Sequence, residues 1–60
     1  MAQVHPSAIV EDGAVLGEGC VIGPLCTVGA RVVLCDRVEL KSHVVISGDT
    51  RIGEDTVIFP

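Results

Sequence analysis

Hydrophobic positions recur along this chain with a period of six. Stepping from Val4, the residues are Val4, Val10, Leu16, Ile22, Val28, Leu34, Leu40, Ile46, Ile52 and Ile58, all of them Val, Leu or Ile. Those three types make up one third of the chain, so an unbroken run of ten is not chance. A second lane lies four residues after each of the first nine: Ala8, Ala14, Cys20, Cys26, Val32, Val38, Val44, Thr50 and Thr56, each small or β-branched. Between the lanes stand Pro6-Ser7, Asp12-Gly13, Glu18-Gly19, Gly48-Asp49 and Glu54-Asp55. These are turn pairs, because Pro presets φ, Gly accepts positive φ, and Asp bonds its own backbone. Gly17, Gly23, Gly29 and Gly53 follow the bulky lane and are expected to let the chain turn sharply there.

A six-residue period does not match the 3.6 of an α-helix, and glycine recurs throughout. Short strands fit. In Ala8-Ile9-Val10 alternate side chains face opposite ways, so Ala8 and Val10 point inward and Ile9 outward. A corner at Asp12-Gly13 follows, and Ala14-Val15-Leu16 repeats the pattern. Three-residue strands joined by corners make a prism, with three hexads per coil. Val4, Ile22, Leu40 and Ile58 then stack on one face, Val10, Val28 and Ile46 on the second, and Leu16, Leu34 and Ile52 on the third. The expected fold is an all-β parallel β-helix of about three coils, filling residues 1–60 as one unit. The repeat is still running at Pro60, and the chain stops inside a hexad, as the N-terminal coils of a longer β-helix truncated at the C-terminal end would.

Composition narrows the function. The net charge is −4, and the four basic residues, Arg31, Arg37, Lys41 and Arg51, are scattered, which argues against nucleic acid as a partner. No apolar run approaches the roughly 20 residues of a membrane span, and the N-terminus shows no secretion signal. Three cysteines without a C-x-x-C pair favour reduced thiols and a cytoplasmic setting. The outward lane, which includes Ile9, Val15, Val21, Val33, Val45 and Val57, is unusually apolar. Stacked by face it gives strips Ile9-Thr27-Val45 and Val15-Val33, which reflect either β-propensity or a subunit contact.

Candidate chemistry is sparse. Only His5 and His43 are plausible bases. His5 reads as a capping residue in the first coil and His43, beside Ser42, as a solvated corner or a subunit contact, neither with a nucleophile in a triad-like setting. Cys20 and Cys26 fall in the inward lane as small hydrophobes, while Cys35 is expected near a corner and exposed. Glu11, Asp12, Glu18, Asp36, Asp49, Glu54 and Asp55 fall at corners, as solvated turns rather than a carboxylate pair. Gly17-Glu18-Gly19-Cys20-Val21-Ile22 lacks the last glycine of a dinucleotide loop, and no helix follows it. No residue is assigned a catalytic, cofactor-binding or metal-binding role, and no cofactor is expected.

The lanes resemble the pattern of the hexapeptide-repeat acyltransferases over Val4 to Pro60: an aliphatic residue, often glycine next, and a small residue at the fifth place. That resemblance implies a left-handed coil, a hand the periodicity does not indicate and opposite to the usual crossover rule. Val4-His5-Pro6-Ser7-Ala8-Ile9-Val10 and Leu40-Lys41-Ser42-His43-Val44-Val45-Ile46-Ser47-Gly48-Asp49-Thr50-Arg51-Ile52-Gly53, continuing to Pro60, look like the UDP-N-acetylglucosamine acyltransferases of lipid A synthesis. Cys35-Asp36 departs from that pattern, where a glycine-containing pair is commoner. The resemblance implies transfer of a 3-hydroxyacyl chain from acyl carrier protein to the sugar 3-hydroxyl, with a His as general base, in a cytoplasmic homotrimer. The family's base and nucleotide-binding residues correspond to no position of this chain, so this piece alone is expected to be inactive. A zinc site, as in the carbonic anhydrases with this repeat, needs about three protein ligands, and two histidines two coils apart do not supply them. A non-catalytic β-solenoid scaffold or trimerisation module, or another hexapeptide-repeat transferase, are the alternatives.

Overall fold

Alternating side chains and closely spaced turn residues yield ten short strands and no helix. The computed structural model describes all residues, Met1–Pro60. The strands are β1 (Gln3–Val4), β2 (Ile9–Val10), β3 (Val15–Leu16), β4 (Val21–Ile22), β5 (Thr27–Val28), β6 (Val32–Leu34), β7 (Glu39–Leu40), β8 (Val45–Ile46), β9 (Thr50–Ile52) and β10 (Val57–Ile58). Only β6 and β9 reach the three residues expected; elsewhere the first inward residue already belongs to the corner.

The strands form three parallel sheets, ordered β1-β4-β7-β10, β2-β5-β8 and β3-β6-β9, here called the first, second and third faces. The register is the expected one. Val4 lies beside Ile22, Ile22 beside Leu40, and Leu40 beside Ile58, eighteen residues apart each time. Val10, Val28 and Ile46 stack on the second face, and Leu16, Leu34 and Ile52 on the third. The same rung recurs from coil to coil: the N–H groups of Gln3, Val21 and Glu39 donate to the carbonyls of Cys20, Val38 and Thr56 at 2.8, 2.9 and 2.9 Å. The molecule is a β-solenoid of about three turns, as broad as it is tall, with extents of 21 × 20 × 20 Å.

The core is the axis of the prism. Its nine buried residues are Cys20, Ile22, Cys26, Val28, Val32, Leu34, Val38, Leu40 and Val44, an uninterrupted run of both inward lanes through the middle coil. No polar or charged residue is buried with them. The same lanes in the outer coils are less covered, because each has a neighbour on one side only. Val10, Leu16, Ile46, Ile52 and Ile58 are half-buried, and Val4 is 43% exposed.

The glycines after the bulky lane have a different role from the one expected of them. Gly17, Gly23, Gly29 and Gly53 do not have positive φ. Instead, Gly17 and Gly23 sit where the next coil passes closest. A methyl on Gly23 would run into the Lys41 carbonyl, and one on Gly17 would lie 2.6 Å from the Cys35 carbonyl carbon. The sharp bends fall at the corners, where φ is positive at Gly13, Gly19 and Gly48 and at the non-glycine residues Leu25, Arg37, His43 and Asp55. The three prolines share one column: Pro6, Pro24 and Pro60 are separated by multiples of eighteen on the corner joining the first and second faces. Pro24 followed by Leu25 at φ 59° has the Pro-then-positive-φ pattern of a type II turn.

Candidate functional site

The corners carry the chain's polar chemistry, and the eighteen-residue register sorts it into three columns. The first corner, between the first and second faces, brings the two histidines together on one edge, two coils apart. The His5 Nδ1 accepts the Ser7 backbone N–H at 3.1 Å, and the Ser7 Oγ stands 2.8 Å from the same nitrogen. In turn the Ser7 Oγ accepts the Leu25 N–H at 3.0 Å, which ties the first coil to the second. A serine is thus in reach of His5, but within a turn and not in a triad-like setting. With Nδ1 accepting, the neutral ring carries its proton on Nε2. The lone pair a base would need is therefore occupied by the turn, as the capping reading expects. No third group orients the ring, so the His5–Ser7 pair is a clasp between coils rather than a nucleophile with its base.

His43 occupies the corner position above Leu25. Its backbone has φ 56°, its N–H donates to the Pro24 carbonyl at 3.1 Å, and its side chain is exposed. Beside it Lys41 pairs with Glu39 at 2.9 Å and lies over the Phe59 ring, 5.7 Å from its centre. Gln3, Val4, His5, Val21, Ile22, Gly23 and Pro24 line an open depression of about 390 Å³ on the edge of the first face. A second one, of about 350 Å³, lies between Thr27, Arg31, Ser47 and Gly48, with Glu11 at its rim.

The other two corners are acidic, and each is crossed by one arginine. Arg31 pairs with Asp49 at 3.0 Å on the second corner. On the third, Arg37 Nε donates to Asp55 Oδ1 at 2.7 Å, and its Nη2 reaches Asp55 Oδ2 and Glu54 Oε1 at 3.4 and 3.5 Å. The hydrogen bond from Arg37 holds the Asp55 carboxyl below the usual carboxylate range, and the same bond raises Arg37. Asp36 Oδ1 accepts the Glu18 N–H at 2.9 Å, and the Glu18 carboxylate pairs with the N-terminal amine of Met1. These carboxylates are thus spread along solvent-facing columns as counter-ions and caps. No three His, Cys, Asp or Glu side chains converge as a metal-binding group.

The cysteines follow the lanes in two cases out of three. Cys20 and Cys26 are fully enclosed, and the Cys20 thiol donates to the Cys35 carbonyl at 3.0 Å. Cys35 is half-buried rather than exposed. It stands in the column of Gly17 and Gly53, where the coils pack closely.

With the eighteen-residue coil and its two inward lanes in place, the comparison with known families is direct. The profile described as bacterial transferase hexapeptide, six repeats, matches residues 1–35 and again residues 13–48. The chain belongs to the hexapeptide-repeat transferase family. The two matches start two hexads apart, as a profile sliding along a periodic structure should, and together they reach from the first coil into the third. No curated protein matches the chain. The family membership accounts for both lanes.

Proposed function

We propose that the chain forms coils of a UDP-N-acetylglucosamine 3-O-acyltransferase. In that reading a 3-hydroxyacyl group passes from acyl carrier protein to the 3-hydroxyl of the sugar nucleotide, the first step of lipid A synthesis, in a cytoplasmic homotrimer. The observation that carries it is where the resemblance falls. Inward lanes look alike in all hexapeptide repeats because the fold demands them. Lys41, His43, Ser47, Asp49 and Arg51 are exposed, so packing does not dictate them, yet they belong to the stretch that resembles these acyltransferases. His5, Pro6 and Ser7 are exposed too, although that opening occurs in many hexapeptide proteins.

These coils act as framework. His5 has its acceptor nitrogen engaged by the turn, and His43 sits on an exposed corner. The general base of the reaction is then supplied from outside these residues. The test is a chimaera in which Met1–Pro60 replaces the equivalent coils of an established acyltransferase of this kind. Transfer of a labelled 3-hydroxyacyl group to UDP-N-acetylglucosamine, within about tenfold of the parent rate, is the expected result. A folded, trimeric chimaera that transfers nothing would favour a scaffold or a transferase with another acceptor.

A further inference from the structure

Where the first coil meets the second, the first corner is closed by a side chain. Four non-glycine residues have positive φ: Leu25, Arg37, His43 and Asp55. Three of them donate their N–H to the main-chain carbonyl nineteen residues earlier. Arg37 donates to Glu18 at 2.9 Å, His43 to Pro24 at 3.1 Å and Asp55 to Asp36 at 3.0 Å. The corresponding carbonyl for Leu25 is that of Pro6, but its N–H donates instead to the Ser7 Oγ at 3.0 Å. A hydroxyl thus takes the place of a backbone rung.

That hydroxyl is held in turn by His5. The Ser7 O–H donates to Nδ1 at 2.8 Å, and the Ser7 backbone N–H donates to the same nitrogen at 3.1 Å. One ring lone pair therefore orients the oxygen that receives Leu25. A protonated imidazole has no such lone pair, since both ring nitrogens then carry hydrogen. Its Nδ1–H would face the Ser7 N–H, so the ring swings away and Ser7 loses its acceptor. Nothing nearby offsets the added charge. Across from His5, β4 and the corner after it present only Val21, Ile22, Gly23 and Pro24. The Met1 amine is committed to Glu18, and Lys41, two coils on in the column of His5, to Glu39. Glu11 lies beyond β2 on the second corner, and His43 stands in the column of Ser7 and Leu25.

We propose that His5 is a proton-sensitive latch on the first coil: neutral, it closes the first corner through Ser7 onto Leu25, and protonated, it releases that corner. The sign follows from the lone pair. The latch is closed while the ring is neutral and is lost as pH falls through the range in which histidines take up a proton, about pH 8 to 5. Release is local. The first coil keeps its main-chain bonds from the His5 N–H to the Ile22 carbonyl and from the Ile9 N–H to the Cys26 carbonyl, at 2.9 and 2.8 Å, and these contain no titratable group. Leu25 feels the loss most. It stands at φ 59°, a conformation costly for a branched side chain, and the bond to Ser7 is what ties it there. The latch does not depend on the acyltransferase reading.

The test is amide hydrogen exchange by NMR on the full chain between about pH 8 and about pH 5, read as protection relative to the unstructured rate at each pH. Protection of the Leu25 N–H should fall about fivefold or more across that range, as loss of one hydrogen bond implies. The Arg37 N–H, bonded to the Glu18 carbonyl, should keep its protection and reports that each variant is folded. His5→Asn retains an acceptor oxygen for Ser7, in the manner of an Asx turn, and does not titrate. It should leave Leu25 protected at both ends of the range. Ser7→Ala should leave Leu25 weakly protected throughout. Leu25 protection that is independent of pH in the wild-type chain would overturn the latch. So would a fall that persists in His5→Asn, which would assign it to His43, or Leu25 protection untouched by Ser7→Ala.

Discussion

Two positions one residue apart, Ile22 and Gly23, show how strongly single sites are constrained. Ile22 is 1% exposed between Val4 and Leu40, so Ile22→Ala removes packing on both sides. It should cost about 2–5 kcal/mol in urea unfolding, while Glu18→Ala, on an exposed corner, should change stability by less than about 0.5 kcal/mol. Gly23 touches the next coil with its backbone. Gly23→Ala drives a methyl into the Lys41 carbonyl and should destabilise by about 1–3 kcal/mol or more, whereas the methyl of Gly53→Ala meets nothing within 4 Å. Equal losses from the two glycine substitutions would remove the close-approach explanation. Thiol labelling tests the lanes at the same scale. Cys20 and Cys26 should resist a thiol reagent in the folded chain, and Cys35, half-buried, should react first. The lane residues were legible in the sequence because a strict period leaves one choice of inward side. The reason for Gly17 and Gly23 was not, because a contact eighteen residues away depends on how closely coils approach, which periodicity does not measure.

At the scale of strands and corners, stability is concentrated in the middle coil. β4, β5, β6 and β7 have neighbours on both sides, while β1, β2 and β3 and, at the other end, β8, β9 and β10 are edge strands. Amide hydrogen exchange should therefore be slowest between Cys20 and Val44 and faster toward either end. Corners contribute through pairs such as Arg37 and Asp55. Because the folded Asp55 carboxyl is held below its ordinary value, its contribution is present above the unfolded carboxyl's pKa, about 3.9, and is lost as pH falls through the lower folded value. Arg37→Ala should flatten that acid-side decline, and salt should diminish the difference, since the pair is exposed. The corner residues were legible as turns, but not the ion pairs between coils. The His5–Ser7–Leu25 clasp was hidden because one of its partners lies eighteen residues away.

For the whole molecule, one register accounts for the core, the columns of corner chemistry and the segregation of charge. Stacking residues eighteen apart buries both inward lanes, and it also gathers seven of the eight acids onto the second and third corners and both histidines onto the first. The architecture was readable from ten hexads because each local choice agrees with the global one. A catalytic constellation would not be readable in the same way, because side chains that converge on a substrate need have no period. The register is also what the functional reading depends on, since it sets which corner residues stand side by side. Its most direct test is a set of nuclear Overhauser contacts between backbone protons of adjacent strands. Contacts linking Val4 to Ile22, Ile22 to Leu40 and Leu40 to Ile58, with matching sets through Val28 and Leu34, are the predicted result. Contacts at any other regular spacing, or the short-range pattern of a helix, would contradict it.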